Sequence, residues 1–197
     1  MVQIAVTGNI GSGKTTICGM MESMGIPVYH SDDRAKGLMN QNKTLMQSIQ
    51  KRFGQQSYLN GMLNRSWLSN LVFNDADALD DLNRLVHPVV RTDYKHWCSR
   101  QSAELIAYES AILIEHGNQA DFDVVILVQC PKNIRFQRIH QRDELTMDAI
   151  QARARFQWSE EKKAKFADFL IENIALDQTE QQLQRVMARI RKQFLKD

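Results

Sequence analysis

The segment Gly8-Asn9-Ile10-Gly11-Ser12-Gly13-Lys14-Thr15 constrains this chain more than any other. It satisfies the spacing G-x-x-x-x-G-K-S/T. It follows a β-rich run over residues 2 to 7 and precedes Lys14 to Met24, where Ile17, Met20, Met21 and Met24 recur at helical spacing. Strand, glycine loop and helix start, in that order, make an anion cradle. Glycines let successive backbone N–H groups curl round phosphate oxygens, and the helix end adds positive partial charge. A side chain at Gly13 would crowd that approach. Gly11, Ser12, Gly13, Lys14, Thr15 and Thr16 are the expected nucleotide-binding residues, with Lys14 reaching the β- and γ-phosphates of ATP and Thr15 offering its hydroxyl to Mg²⁺. The plain alternative is a glycine turn that only packs a strand on a helix.

Beyond the loop, Gly25 is placed to end the first helix, and Ile26 to Tyr29 reads as a second short strand. The next buried strand is Glu104 to Glu109, so a segment of roughly 70 residues lies between, too long for a loop. Leu45, Ile49 and Phe53, then Trp67, Leu68, Leu71 and Val72, then Leu79, Leu82, Leu85 and Val86 follow helical spacing, so the insertion is expected to be helical. Asn60-Gly61 between Tyr58-Leu59 and Met62-Leu63 predicts one hairpin. Pro88, after His87, suits the first turn of a further helix carrying Val89, Val90, Tyr94 and Trp97. Asp123 to Cys130 predicts a strand buried on both faces, Pro131 opens a helix, Ala167 to Ile171 is a last short strand, and Gln178 to Phe194 a closing helix. Alternating strands and helices predict an α/β fold with a parallel sheet covered on both faces.

Composition removes several functional classes. The chain has 25 basic and 23 acidic residues, a net charge of +2 without long single-sign runs, which does not point to nucleic acid as principal ligand. Trp67, Trp97 and Trp158 read as packing residues rather than a stacking platform. No segment approaches about 18 uninterrupted apolar residues and no leader pattern is seen, so no membrane association and a cytoplasmic location are expected. Cys18, Cys98 and Cys130 lack metal-type spacing and read as reduced, buried thiols. A guanine-nucleotide switch would carry Asp-x-x-Gly and Asn-Lys-x-Asp; Asn42-Lys43-Thr44-Leu45 lacks the aspartate.

A kinase needs an acceptor site, a carboxylate to orient and deprotonate the hydroxyl, and neutralising cations. Asp32 and Asp33 follow the second strand at the carboxyl edge of the sheet, and either could serve as base; Asp32 could instead cap a helix starting near Arg34. Glu109 and Glu115 are candidates for water-mediated Mg²⁺ contacts or acceptor contacts, against a solvated helix carboxylate for Glu115. Arg135, Arg138 and Arg142 recur on the helix after Pro131, as lid cations or as an ordinary solvated face. His87 reads as a hydrogen-bonding residue at a helix entry.

Together these residues resemble the dephospho-coenzyme A kinase family. The loop from Gly8 to Thr16 is similar to the family's glycine-rich pattern, with Asn9 in place of the second glycine. His30-Ser31-Asp32 lies where the family has Asp-Ala-Asp, so Asp32 matches the second aspartate, the base, and His30 departs from the first. Val86-His87-Pro88 resembles its His-Pro segment, and Ala111 to Glu115 its proline-leucine-leucine-x-glutamate. Arg138 and Arg142-Asp143 match the helix entering the lid, and Arg153 to Asn173, with Gln157 and Lys162, the lid and last strand. The family's Asn-Gly turn is not reproduced, since Asn173 precedes Ile174.

The resemblance implies a three-layer P-loop NTPase fold: a nucleotide-binding core at 1–32 and 101–197 with a lid near 143–160, and an inserted helical acceptor domain at 33–100. It implies ATP-dependent phosphorylation of the ribose 3′-hydroxyl of dephospho-coenzyme A. Lys14, Asp32, Arg138 and Arg142 would be catalytic, and His87 and Glu115 acceptor-binding. Apart from the resemblance, a monomer or weak homo-oligomer is expected. Rival readings are another P-loop kinase for a nucleoside or small metabolite, and a nucleotide-binding regulator that does not catalyse.

Overall fold

The computed structural model describes residues 1–195. The chain runs β1 (Val2–Thr7), α1 (Lys14–Ser23), β2 (Val28–His30), α2 (Ser31–Gln41), α3 (Lys43–Phe53), β3 (Tyr58–Leu59), β4 (Met62–Leu63), α4 (Arg65–Val72) and α5 (Ala76–Cys98). It continues through β5 (Leu105–Glu109), β6 (Val124–Gln129), α6 (Lys132–Asp143), α7 (Met147–Ala154), α8 (Glu160–Ala164), β7 (Phe169–Glu172) and α9 (Leu176–Phe194). It divides into two compact units, Ser31–Arg100 and the remainder.

In the first unit five strands form a sheet in the order β2-β5-β1-β6-β7, every pair parallel. β1 lies at the centre, between β5 (Val2 opposite Leu105, Val6 opposite Glu109) and β6 (Ile4 opposite Val124, Thr7 opposite Leu127). Ile4, Val6, Ile126 and Val128 face one layer, where Ile17, Cys18 and Met21 of α1 and Leu183, Met187 and Ile190 of α9 complete the core. Ala5 and Val125 face the opposite layer, against Leu113 and Ile114 with Tyr108, Phe122 and Trp158. Burial on both faces is why Ile4 to Val6 of β1 and Val124 to Val128 of β6 are unbroken apolar runs rather than alternating ones. β1 and its neighbour β5 lead in opposite directions along the sheet, β1 to β2 at one edge and β5 to β6 on the other side of β1, and such a divergence is where open α/β sheets bind ligands.

The second unit is helical, as the apolar spacing of 33–100 predicts, and each of three helices starts on a side-chain cap. Asn42 accepts from the Leu45 N–H, Asn64 from Trp67, and Asp75 from Asp77 and Ala78. The Asn60-Gly61 hairpin is present, with φ of 50° and 78°, the paired positive values that suit the twist of a two-residue turn. It is held by Tyr58 Oη donating to the Met39 carbonyl at 2.6 Å and Leu63 N–H donating to Asn40 Oδ1 at 2.8 Å. Arg34 forks onto Asp93 at 2.9 and 2.6 Å, joining α2 to α5.

Three sequence expectations change. α2 begins at Ser31, not near Arg34, so Asp32 lies inside the first helical turn and is not its cap. The last strand starts two residues later than expected because Asp168 occupies the ladder itself: its N–H donates to the Val125 carbonyl at 2.9 Å, and its carboxylate accepts from Val125 N–H at 2.8 Å. Pro88 does not start a helix but sits inside the 23-residue α5, which places His87 mid-helix. Val86, Val90 and Tyr94 form one buried row across the proline, and packing of that row outweighs the lost N–H and the ring's clash with the Arg84 carbonyl. Pro88 itself is exposed. Pro88→Ala should therefore stabilise the fold by about 1–3 kcal/mol by restoring that helical bond, read as a higher urea midpoint; an unchanged or lower midpoint would show that the proline is needed for packing.

Candidate nucleotide-phosphate site

β1 ends at Thr7 and the chain turns through a loop closed by Ser12 N–H donating to the Asn9 carbonyl at 3.0 Å. Gly13 caps α1 in the left-handed region at φ 89°, and its carbonyl accepts from Thr16 and Ile17. Glycine is required there for a second reason. A Cβ at Gly13 would collide with the Asn173 side-chain nitrogen, and one at Gly11 (φ 79°) would lie 2.6 Å from the Arg135 carbonyl. Crowding thus comes from the protein beneath the loop as well as from the phosphate side anticipated from sequence.

Two loop N–H groups are already engaged: Ser12 as above, and Ile10, which donates to Gln157 Oε1 at 2.8 Å. Among the described residues no hydrogen bond takes the Gly11 or Gly13 N–H. The first N–H groups of α1, those of Lys14 and Thr15, have no intrahelical acceptor. This cluster of donors carries the positive potential of a nest and a helix start. Lys14, 8% exposed, folds back so that Nζ donates to the Gly8 carbonyl at 3.1 Å and lies 3.8 Å from Glu109 Oε1. Glu109, at the end of β5 and 6% exposed, also lies 3.5 Å from His30 Nδ1. Burial, then the Glu109 charge, push the Cys18 thiol beneath the loop well above its ordinary range. Cys18 and Cys130 are buried free thiols as expected, whereas Cys98 is half-buried.

The donor set fits a nucleotide phosphate with its Mg²⁺. Ser12 Oγ is buried without a hydrogen-bond partner among the described residues, Lys14 supplies a desolvated cation, and the Thr15 side chain is exposed at the start of α1, next to Thr16.

The other singled-out residues have distinct surroundings. Asp32 and Asp33 are exposed in the first turn of α2, with Lys36 Nζ 2.5 Å from Asp33. The arginines of α6 do not present one solvated face. Arg135 is buried, donating to the carbonyls of Cys130 (2.9 Å) and Ile10 (3.3 Å) beside Glu160 at 3.3 Å. Arg138 donates to the carbonyls of Asn173 (3.0 Å) and Ile174 (3.2 Å). Arg142 forks onto Asp143 at 2.7 and 2.8 Å, which raises its pKa. His87 is half-buried within α5.

Glu115 is not a solvated helix carboxylate. It lies in a turn, its Oε1 accepting from Trp158 N–H at 3.0 Å and from Lys163 Nζ at 2.8 Å, and Lys163 is fully buried. Burial pulls the Lys163 pKa down and Glu115 opposes it. Lys163 also donates to the Ala111 carbonyl at 2.9 Å. Asn173, Lys163 and Glu160 escape sequence reasoning as site residues: single polar residues far along the chain carry no local pattern, and only the fold brings Asn173 to Ser12, Glu160 to Arg135 and Lys163 to Glu115. Lys163→Met should cost about 3–5 kcal/mol by leaving Glu115 buried and unpaired, while Glu115→Gln with Lys163→Met should cost clearly less than the two single changes added; additive losses in urea denaturation would rule out this coupling.

Residues 2–178 match the family model described as dephospho-CoA kinase. A Porphyromonas gingivalis protein named dephospho-CoA kinase is 37% identical over 165 residues, 84% of this chain and 82% of that protein. A solved structure from Thermus thermophilus superposes with a TM-score of 0.84 at 32% identity, covering 96% of this chain and 97% of that one. The dephospho-CoA kinase of Campylobacter jejuni superposes with a TM-score of 0.68 at 27% identity, covering 97% and 98%. With its central parallel sheet, glycine loop and near-complete alignment, the chain belongs to the dephospho-CoA kinase family of P-loop kinases.

Proposed function

We propose that this protein transfers the γ-phosphoryl group of ATP to the ribose 3′-hydroxyl of dephospho-coenzyme A, giving coenzyme A and ADP, the final step of coenzyme A formation. The observation that carries this is the unengaged donor cluster of the phosphate loop with Lys14 folded over it, in a chain of this family.

Phosphoryl transfer is chiefly positioning and charge neutralisation. In this reading the N–H groups of Gly11, Gly13, Lys14 and Thr15 hold the β- and γ-phosphates, with Ser12 and Thr16 completing the cradle. Lys14 exchanges the Gly8 carbonyl and Glu109 for phosphate oxygens, which hold its charge more strongly. The Thr15 hydroxyl would hold Mg²⁺, which when bound would supply further charge neutralisation. Asp32 orients the acceptor hydroxyl and takes its proton. Arg138 and Arg142 offset charge on the transferring group, and each must exchange a present partner to do so. The helical segment 33–100, with His87, receives the bulky acceptor; Glu115 acts on it only indirectly, through Trp158 and Lys163. The stretch 143–160, containing α7, serves as lid over the core formed by 1–32 and 101–197. The working form is a monomer or weak homo-oligomer in the cytoplasm, with neither nucleic acid nor membrane as partner; among the described residues no helix is long and apolar enough to cross a membrane.

A coupled ADP-release assay tests the reading: release should depend on dephospho-coenzyme A and be lost in a folded Lys14→Ala protein. Equal stimulation by adenosine or another nucleoside would mark a different P-loop kinase, and no turnover with any acceptor would mark a non-catalytic regulator. For the base, Asn keeps the size of Asp32 but cannot take the proton, so Asp32→Asn should lower kcat by about 10²- to 10⁴-fold while ATP affinity changes little. Asp33→Asn should cost much less, because Asp33 is already turned to Lys36. A reversed ranking of the two variants would move the base by one residue.

A further inference from the structure

Glycine at position 13 permits the phosphate cradle but does not enforce it. Turning over the Ser12–Gly13 peptide changes ψ of Ser12 and φ of Gly13 together, and glycine accepts either sign of φ with little penalty. In one orientation the plane offers the Gly13 N–H to an anion. In the other it offers the Ser12 carbonyl oxygen, which repels one. A trans peptide holds its C=O and N–H on opposite sides, so whatever holds the carbonyl also decides where the N–H points.

We propose that Asn173 is the positioning residue that makes this choice: its carboxamide takes the Ser12 carbonyl, so that the Gly13 N–H faces the nucleotide phosphates. This rests on the reading above that the loop binds ATP. Asn173 Nδ2 donates to the Ser12 carbonyl at 2.8 Å in a buried bond, and Asn173 is 3% exposed. A carbonyl only accepts, so the amide nitrogen must face it. The other end of the carboxamide, Oδ1, lies 3.2 Å from the Thr179 hydroxyl on α9. That hydroxyl is also 2.8 Å from the Ala175 carbonyl and 3.2 Å from that of Glu172, so its single proton is shared among three acceptors.

The mount beneath the carboxamide is rigid. Asn173 N–H donates to the Gln129 carbonyl at 2.8 Å, at the end of β6, and the Asn173 carbonyl accepts from Arg138 at 3.0 Å. Arg138 thereby reaches the loop at second hand, by fixing the residue that fixes Ser12. The Asn173 side chain is also the group a Cβ at Gly13 would strike, so the two residues are in direct apposition. The Gly13 N–H, which points the opposite way within the same peptide plane, has no partner among the described residues.

The test is calorimetric titration of the full chain with ADP and Mg²⁺, which needs no acceptor and no turnover. Asn173→Asp keeps the shape but sets oxygen against oxygen at Ser12, and Asn173→Ala removes the anchor. Each should weaken ADP binding by about 10- to 100-fold, the loss of one hydrogen bond to a charged group, with stoichiometry near that of the unmodified protein. The KM for dephospho-coenzyme A should stay unchanged. A merely structural role predicts the reverse pattern: fewer binding-competent molecules and a lower Tm, with normal ADP affinity in those that fold. That pattern, or normal affinity in either folded variant, overturns the proposal. Should both variants fail to fold, Thr179→Val decides: releasing the far end of the carboxamide should weaken ADP binding several-fold, and unchanged affinity overturns it. If the unmodified protein binds ADP but does not phosphorylate dephospho-coenzyme A, the substrate assignment fails and the role of Asn173 is still measured.

Discussion

A run of backbone N–H groups kept without acceptors is the constraint around which the first unit is built. Such groups are unfavourable wherever water is excluded, and a free loop would turn its peptides to satisfy them. Here the loop is held at both ends and from beneath. β1, hydrogen-bonded on both edges, fixes the entry, and α1 fixes the exit. Arg135 takes the Ile10 carbonyl, Gln157 the Ile10 N–H, and Asn173 the Ser12 carbonyl. Each of these removes a peptide orientation that would close the cradle on itself.

The same region carries three buried or nearly buried ion pairs: Lys14 with Glu109, Lys163 with Glu115, and Arg135 with Glu160. Such pairs add little net stability, because desolvation of both charges offsets their attraction. What they share is a second bond: each cation also donates to a backbone carbonyl, of Gly8, Ala111 and Cys130 respectively. The cations therefore work as clamps on irregular backbone, at places where no strand or helix ladder is available to satisfy it. Lys14 differs in its bonds, since its contact to Glu109 is 3.8 Å, long enough to yield to a stronger anion.

Local chemistry made much of the architecture legible. Glycine spacing after a β-rich run located the loop, apolar runs located β1 and β6, and Asn60-Gly61 located the hairpin because positive φ at two successive residues is a local requirement. The errors came where packing overrode local preference. Pro88 reads as a helix start, yet the row of Val86, Val90 and Tyr94 carries α5 through it. The alternative of Asp32 as the cap of a helix near Arg34 fails, because the helix already begins at Ser31.

Sequence by itself determined the phosphate loop, the order of strands and helices, and the resemblance to a kinase family, because each depends on residues adjacent in the chain or recurring at a helical or strand period. Only the tertiary structure decided which polar residues serve the loop. Gln157 and Asn173 lie more than a hundred residues beyond Ile10 and Ser12, and Glu115 and Arg138 turned out to hold backbone and buried charge. No local pattern marks a hydrogen bond of that sequence separation: it exists because a parallel sheet brings β1, β6 and β7 side by side, and with them the chain that leaves their carboxyl ends.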